Sequence, residues 1–387
     1  IRFSRPELKV SRVKINIAAN IAGQASQVLL TVICAPMYIK LLGIEAFGLI
    51  AFYTLVHSIT QLLDLGLGTA ANREIAQLAE KKDDESRCYL GEVACTLERW
   101  YWTLGLVLGV TLFYAMPSLA VWWLRPQVLA HAEITNSASV FGLLAFALWP
   151  ISFYQNGLLG LQRQFVLNTI QIPFSALSTL GGLIFILIGP RTIFALLLWQ
   201  ACSMLLQLIV VRYYFWKHID VSRPTTGFKL SVLHKLCRFS LGMSGITTAG
   251  FIVMSLDKVI LSRYLTLEAF SYYTLAGTLA RGLYILITPV YSAYFPRFTA
   301  LVGLGDSTAT RQCYHTAAQL MAALSLPLTA VVVFFAAEIS QLWLHNATVA
   351  ASVAPLASLL ALGNCLNGLM SIPFALQLAN GNTKISL

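Results

Sequence analysis

The sequence predicts an all-α integral membrane protein made of two six-helix lobes, arranged as parallel repeats around a central cavity, with the second lobe incomplete. Three observations lead there. Long apolar stretches fill the chain, basic residues collect between alternate stretches, and a short motif around Glu45 returns around Glu268.

Of 387 residues, 57% are apolar and 11% charged, and the mean hydropathy is +0.72. A soluble chain of this length exposes far more charge, so a soluble multidomain protein is excluded. A bilayer core about 30 Å thick takes roughly 20 mostly apolar residues per helix. Ten such stretches lie near 13–39, 46–70, 100–124, 138–161, 165–189, 192–216, 239–262, 268–296, 312–336 and 350–378. An eleventh opens at about Lys384, which is why the second lobe is expected to be incomplete. The first stretch is too long for a signal peptide and follows five basic residues. The seven cysteines are scattered without a CxxC, so zinc and thiol redox chemistry are not expected.

Basic residues orient the spans. Counting loops alternately from an inner N-terminus, 20 Lys and Arg fall in inner segments and four (Lys40, Arg125, Arg191, Arg263) in outer ones. Cytoplasmic loops retain Lys and Arg, so the N-terminus is expected in the cytoplasm. The net charge of +10 is then a surface facing anionic headgroups, and no nucleic-acid partner is expected. Trp100, Trp102 and Trp216 at inner ends, with Trp122, Trp123 and Trp343 at outer ends, fit interfacial aromatic belts. Between the sixth and seventh spans, Phe228, Val232, Leu236 and Phe239 recur at helical spacing beside Lys229, Lys235 and Arg238. Such a segment can lie along the inner membrane surface. The expected division is 1–216 for the first lobe, 217–238 for a cytoplasmic linker and 239–387 for the second lobe.

LLGIEAF (41–47) and YLTLEAF (264–270) each join two spans, and the helix that follows ends in an arginine both times, Arg73 and Arg297. The offset is six spans, so both copies insert the same way up, a transporter arrangement. Pro36, Pro150, Pro173, Pro289, Pro327 and Pro355 lie within spans and allow bending, which suits lobes that rock against each other.

Few ionisable groups lie at depth, where each costs about 3 kcal/mol unless paired or hydrated. Arg281 is the deepest cation, about 20 Å from the outer end of its helix at a rise of about 1.5 Å per residue. With Lys258, Arg73 and Arg297 it is a candidate for attracting an anionic group, because a guanidinium meets phosphate with a planar fork of donors. Asp64, Asp257 and His57 are candidates for ion coupling or for structural pairing. Trp149 and Trp199 are mid-helix, where packing is favoured over stacking on a sugar. No two membrane carboxylates are close in sequence, and no glycine-rich phosphate loop is present, so neither general acid–base catalysis nor ATP use is expected. No cofactor is expected.

Residues 16–80, with Asn20, Pro36, LGIEAFG (42–48) and DLGLGTAANREIA (64–76), resemble the opening of Wzx-type polysaccharide flippases. FSLGMSG (239–245), LDKVILSRYL (256–265) and LQLANGNTK (376–384) extend the likeness over nearly the whole chain. The resemblance implies twelve or more helices in a MATE-like fold. It also implies transfer of an undecaprenyl-pyrophosphate-linked oligosaccharide, such as an O-antigen unit, between leaflets of a bacterial inner membrane. A counter-flowing proton or sodium ion and a glycan polymerase are the partners it allows, besides membrane lipids. A multidrug or cation exporter of the same fold is the alternative; a membrane glycan polymerase or glycosyltransferase is disfavoured by the short outer loops.

Overall fold

The structure, a computed structural model, describes residues 29–64, 66–79, 81, 83–219 and 228–380, with backbone alone at 238–239, 241–247, 249 and 253–254. The described residues are almost wholly helical and contain no strand. In chain order the helices are α1 (Leu29–Leu42), α2 (Ile44–Leu62), α3 (Leu67–Ala79), α4 (Asp84–Trp123), α5 (His131–Gly160) and α6 (Gln164–Ile188). They continue as α7 (Ile193–His218), α8 (Leu230–Tyr264), α9 (Leu267–Gly303), α10 (Ser307–Phe334), α11 (Ala336–Leu344) and α12 (Ala347–Ala379). Among the described residues seven helices are long and apolar enough to cross a membrane, and the bent pair α2–α3 makes an eighth. The expected first span survives in α1, its earlier residues lying outside the described ones, as does the opening at Lys384.

Two expectations need correction. The span expected as one helix over 46–70 is two helices whose axes differ by 57°. The break follows from DLGLG: Gly66 takes φ +77, a conformation that other residues adopt only with strain. The amphipathic segment expected on the membrane surface is instead the opening of α8. Its Val232, Leu233 and Leu236 are buried in the same apolar core as Ile75, Leu97 and Phe153, because their one-sided pattern serves protein packing equally well. The short α11 lies between two expected spans, where no helix is expected from the sequence.

The chain divides after Leu267 into two compact units. In the first, α4 and α5 pack at backbone distance. A Cβ on Gly142 would lie 2.5 Å from the Gly109 carbonyl and 2.6 Å from the Phe113 nitrogen, and one on Gly105 would lie 3.0 Å from the Phe146 carbonyl. Gly105 and Gly109 form a GxxxG stripe, the pattern that lets membrane helices approach closely. At 40 residues, α4 is about 60 Å long and overruns a core of about 30 Å. Asp83 caps its start by accepting from the Ser86 amide at 2.9 Å, and this hydrogen bonding holds the exposed Asp83 carboxyl below its usual range.

Helix α6 carries a π-turn at Leu177–Gly181, just after Pro173. Its displaced carbonyls find partners: Trp199 Nε1 donates to the Leu177 oxygen at 2.9 Å, and the Tyr38 hydroxyl to the Thr179 oxygen at 2.6 Å. In an apolar medium such replacement partners are what make the irregularity tolerable.

Helix α8 is tied to the first unit at both ends. Near its start, Lys229 pairs with Glu92 at 2.5 Å and Lys235 with Glu74 at 2.8 Å. At its far end Arg263 donates to the Trp122 carbonyl at 2.7 Å, with its guanidinium 4.4 Å from the centre of the Trp122 ring. Trp123 Nε1 donates to the Ser262 hydroxyl at 3.0 Å. These contacts explain why α8, which the sequence repeat puts in the second lobe, falls within the first compact unit. The second unit packs α9, α10 and α12 around Ile287, Phe298, Met321 and Ile372, and α9 contains a 3-10 turn at Arg281–Leu283.

Candidate functional site

The repeated motif proves to be a turn with an anchored carboxylate. Gly43, at φ +88, ends α1 and lets α2 begin at once. Glu45 is buried and accepts from the backbone amides of Gln127, Val128 and Leu129 at 2.7, 2.9 and 2.7 Å, so its carboxyl group holds the α4–α5 loop. In the second copy Thr266 stands where Gly43 does, and Glu268 accepts from the Tyr272 hydroxyl.

At the α2–α3 break, Asp64 Oδ2 accepts from the Gly68 amide at 2.9 Å, and Oδ1 accepts from the Tyr101 hydroxyl of α4. Tyr101 is fully buried between Trp149 and Phe153, with ring centres 5.8 and 5.5 Å away. Asn156 of α5 closes the other side, since a Cβ on Gly68 would lie 2.7 Å from its Nδ2. This is a half-buried carboxylate with two donors and a side-chain amide beside it, held by three elements.

Toward the end where α3 stops and α4 starts lies a cavity of about 1370 Å³. Arg73, Lys81 and Lys235 line it, with Glu74, Asp83 and Glu85 interleaved and Gln77, Gln162 and Tyr89 among its polar walls. It offers cations to a phosphate and acceptors to hydroxyl groups. Elsewhere in the same unit, Glu98 Oε1 accepts from the Tyr154 hydroxyl at 2.6 Å, Arg212 Nε at 2.8 Å and Trp216 Nε1 at 3.1 Å.

The sequence candidates are dispersed. Asp64 lies at the break and His57 two turns earlier on α2, where its Nε2 is 3.4 Å from Gln61 Nε2. Arg73 lines the cavity, while Asp257 and Lys258 lie on α8 toward its far end. In the second unit, exposed Arg281 opens the 3-10 turn, and exposed Arg297 follows about 24 Å along α9 at about 1.5 Å per residue, so the two cannot grip one phosphate. Trp149 is buried, and Trp199 stacks on Phe185 at 5.1 Å, as packing residues do. Tyr101, Asn156 and Glu98 were missed. An acidic residue flanked by aromatics, as in LERWYW (97–102), was the available signal for Glu98 and Tyr101.

This fold is that of the MATE transporters of the MOP superfamily. An inward-facing multidrug resistance MATE transporter matches at a TM-score of 0.78 and 16% identity, over 93% of this chain and 82% of its own. The MATE multidrug transporter DinF-BH matches at 0.69 and 15%, over 99% and 85%. A Pyrococcus furiosus MOP transporter, described as having a binding pocket of reverse polarity that suggests a different function, matches at 0.62 and 18%, over 97% and 83%. No curated protein matches the sequence. Residues 13–302 match the polysaccharide biosynthesis protein family, and the chain belongs to that family.

Proposed function

We propose that the chain is a flippase. It moves an undecaprenyl-pyrophosphate-linked oligosaccharide, such as an O-antigen repeat unit, from the cytoplasmic to the periplasmic leaflet of a bacterial inner membrane. Family membership across residues 13–302 is the observation that carries this reading. The transporter fold and the absence of paired carboxylates in the sequence support a non-enzymatic role.

With the N-terminus cytoplasmic, the cavity beside Arg73 opens inward and serves as the place where the substrate loads. Arg73, Lys81 and Lys235 meet the pyrophosphate, and Glu74, Gln77 and Gln162 meet sugar hydroxyls. Lys258, Arg281 and Arg297 each attract the anion at separate points of its path, as the lobes α1–α7 and α8 onward alternate access. Because Lys229–Glu92 and Lys235–Glu74 tie the start of α8 to α4 and α3, those ion pairs are the ones such a movement exchanges. Asp64, with Tyr101 as its donor, takes the counter-flowing proton or sodium ion, and Asp257 and His57 have supporting parts. A glycan polymerase receives the product.

The alternative, export of drugs or cations, is favoured by the likeness to multidrug MATE transporters. Gene deletion separates the two. Flipping predicts accumulation of single lipid-linked repeat units and loss of the surface polymer, with unchanged susceptibility to cationic dyes. Dye hypersensitivity with a normal surface glycan would reverse the assignment.

A further inference from the structure

A second feature of the first unit lies on its outside. A groove of about 360 Å³ runs along the last turns of α7, with Trp102 of α4 forming one wall. At about 100° per residue, the lining residues of α7 fall in the order Leu208, Arg212, Trp216, Ile209, Tyr213, Lys217 around the helix. Two cations therefore bracket an aromatic and aliphatic strip. Ile209 and Tyr213 are 65% and 60% exposed, and Leu206 one turn earlier is 49% exposed, so this face has the apolar surface a helix shows to acyl chains.

The cations are held in place. Arg212 is fixed through Nε by Glu98, whose side chain is only 14% exposed, while Arg212 itself is 41% exposed. Trp216 and, through Tyr154, Trp102 belong to the same hydrogen-bonded network. Lys217 Nζ lies 5.8 and 5.9 Å from the ring centres of Tyr213 and Tyr214. With Glu98 balancing Arg212, the groove keeps one net positive charge at Lys217, which matches one phosphodiester. Arg212 lies about 7.5 Å nearer the middle of the helix than Lys217, a span that suits a headgroup above and its glycerol linkage below.

We propose that this groove binds one anionic phospholipid of the cytoplasmic leaflet, its phosphate between Arg212 and Lys217 and its acyl chains over Ile209 and Leu206. Basic recesses between helices on the cytoplasmic side are the general setting for such headgroups. The site is separate from the Arg73 cavity, so its occupancy does not depend on what the protein transports.

The test uses the purified full chain in detergent, with retained lipid read by native mass spectrometry. The probes are phosphatidylglycerol and phosphatidylcholine of identical acyl chains. Wild type is expected to retain one phosphatidylglycerol in preference to phosphatidylcholine, and Lys217→Gln to bind it about fivefold more weakly, the effect of one basic residue near the surface. Arg191→Gln, at the opposite end of α7, is expected to bind as wild type does. Arg212→Gln removes the cation that balances the half-buried Glu98 and so perturbs the fold as well, and the exposed Lys217 carries the decision. Equal retention of the two lipids, or unchanged phosphatidylglycerol binding in Lys217→Gln, would overturn the proposal. Competition by acyl-free glycerophosphoglycerol at the same concentration would also overturn it, by showing that the headgroup phosphodiester suffices without acyl chains.

Discussion

At the scale of single residues, carboxylates divide by what satisfies them. Glu45 has three backbone amides, which satisfy both of its carboxyl oxygens. Glu45→Ala should therefore cost about 2–3 kcal/mol, because three loop amides lose their acceptor. A fall in the thermal midpoint in detergent checks this, and an unchanged midpoint would show that the loop holds itself. Arg281 is a different case, an exposed cation at a 3-10 turn. If it meets substrate phosphate, Arg281→Lys keeps the charge without the planar fork and transport should fall partly, while Arg281→Ala should remove most of it at normal abundance. Transport per folded molecule is the measurement, and wild-type values in Arg281→Ala would remove the residue from the site. The sequence made Glu45 conspicuous through its repeat but could not show its partners, which lie more than 80 residues away. Tyr101 stayed hidden for the same reason: a tyrosine in an apolar run looks like packing until Asp64 is placed against it.

At the scale of elements, apolar length located α6, α7, α10 and α12 to within a few residues, while α4, α5 and α8 begin well before the expected spans. Irregularities were less legible. The π-turn after Pro173 depends on Trp199 and Tyr38 arriving from other helices, and the α2–α3 break needed the left-handed Gly66 to be recognised within an apolar run. The GxxxG stripe of α4 was readable, but its partner Gly142 is not implied by spacing alone. Gly142→Val should be among the most damaging apolar changes in the first unit, since its Cβ alone would meet backbone atoms at 2.5 and 2.6 Å. Overpacking of this kind costs about 1–3 kcal/mol or more. Detergent-stable protein should drop severalfold while Gly250→Val, whose Cβ would have open space, is tolerated. Equal yields of the two variants would contradict the packing described for α4 and α5.

At the scale of the whole molecule, long apolar stretches and the family resemblance of residues 16–80 were enough to reach a helical, MATE-like fold, because both are written locally along the chain. The site was less legible, since the residues lining the cavity beside Arg73 come from α3, α4, the turn after α5 and α8, far apart in sequence. Orientation is checked with single cysteines: exposed Cys88, in a background lacking the other six, should react only after permeabilisation, and a cysteine at Arg191 should react in intact cells. Reaction of Cys88 from outside would invert the topology. The most direct test of flipping uses purified protein in vesicles, with a lipid-linked oligosaccharide placed in one leaflet and its arrival in the other read by an impermeant glycan-modifying enzyme. The account predicts protein-dependent arrival that is lost when Arg73 and Lys235 are both changed to Ala. Arrival at the rate of empty vesicles with wild-type protein, under imposed proton and sodium gradients alike, would contradict it.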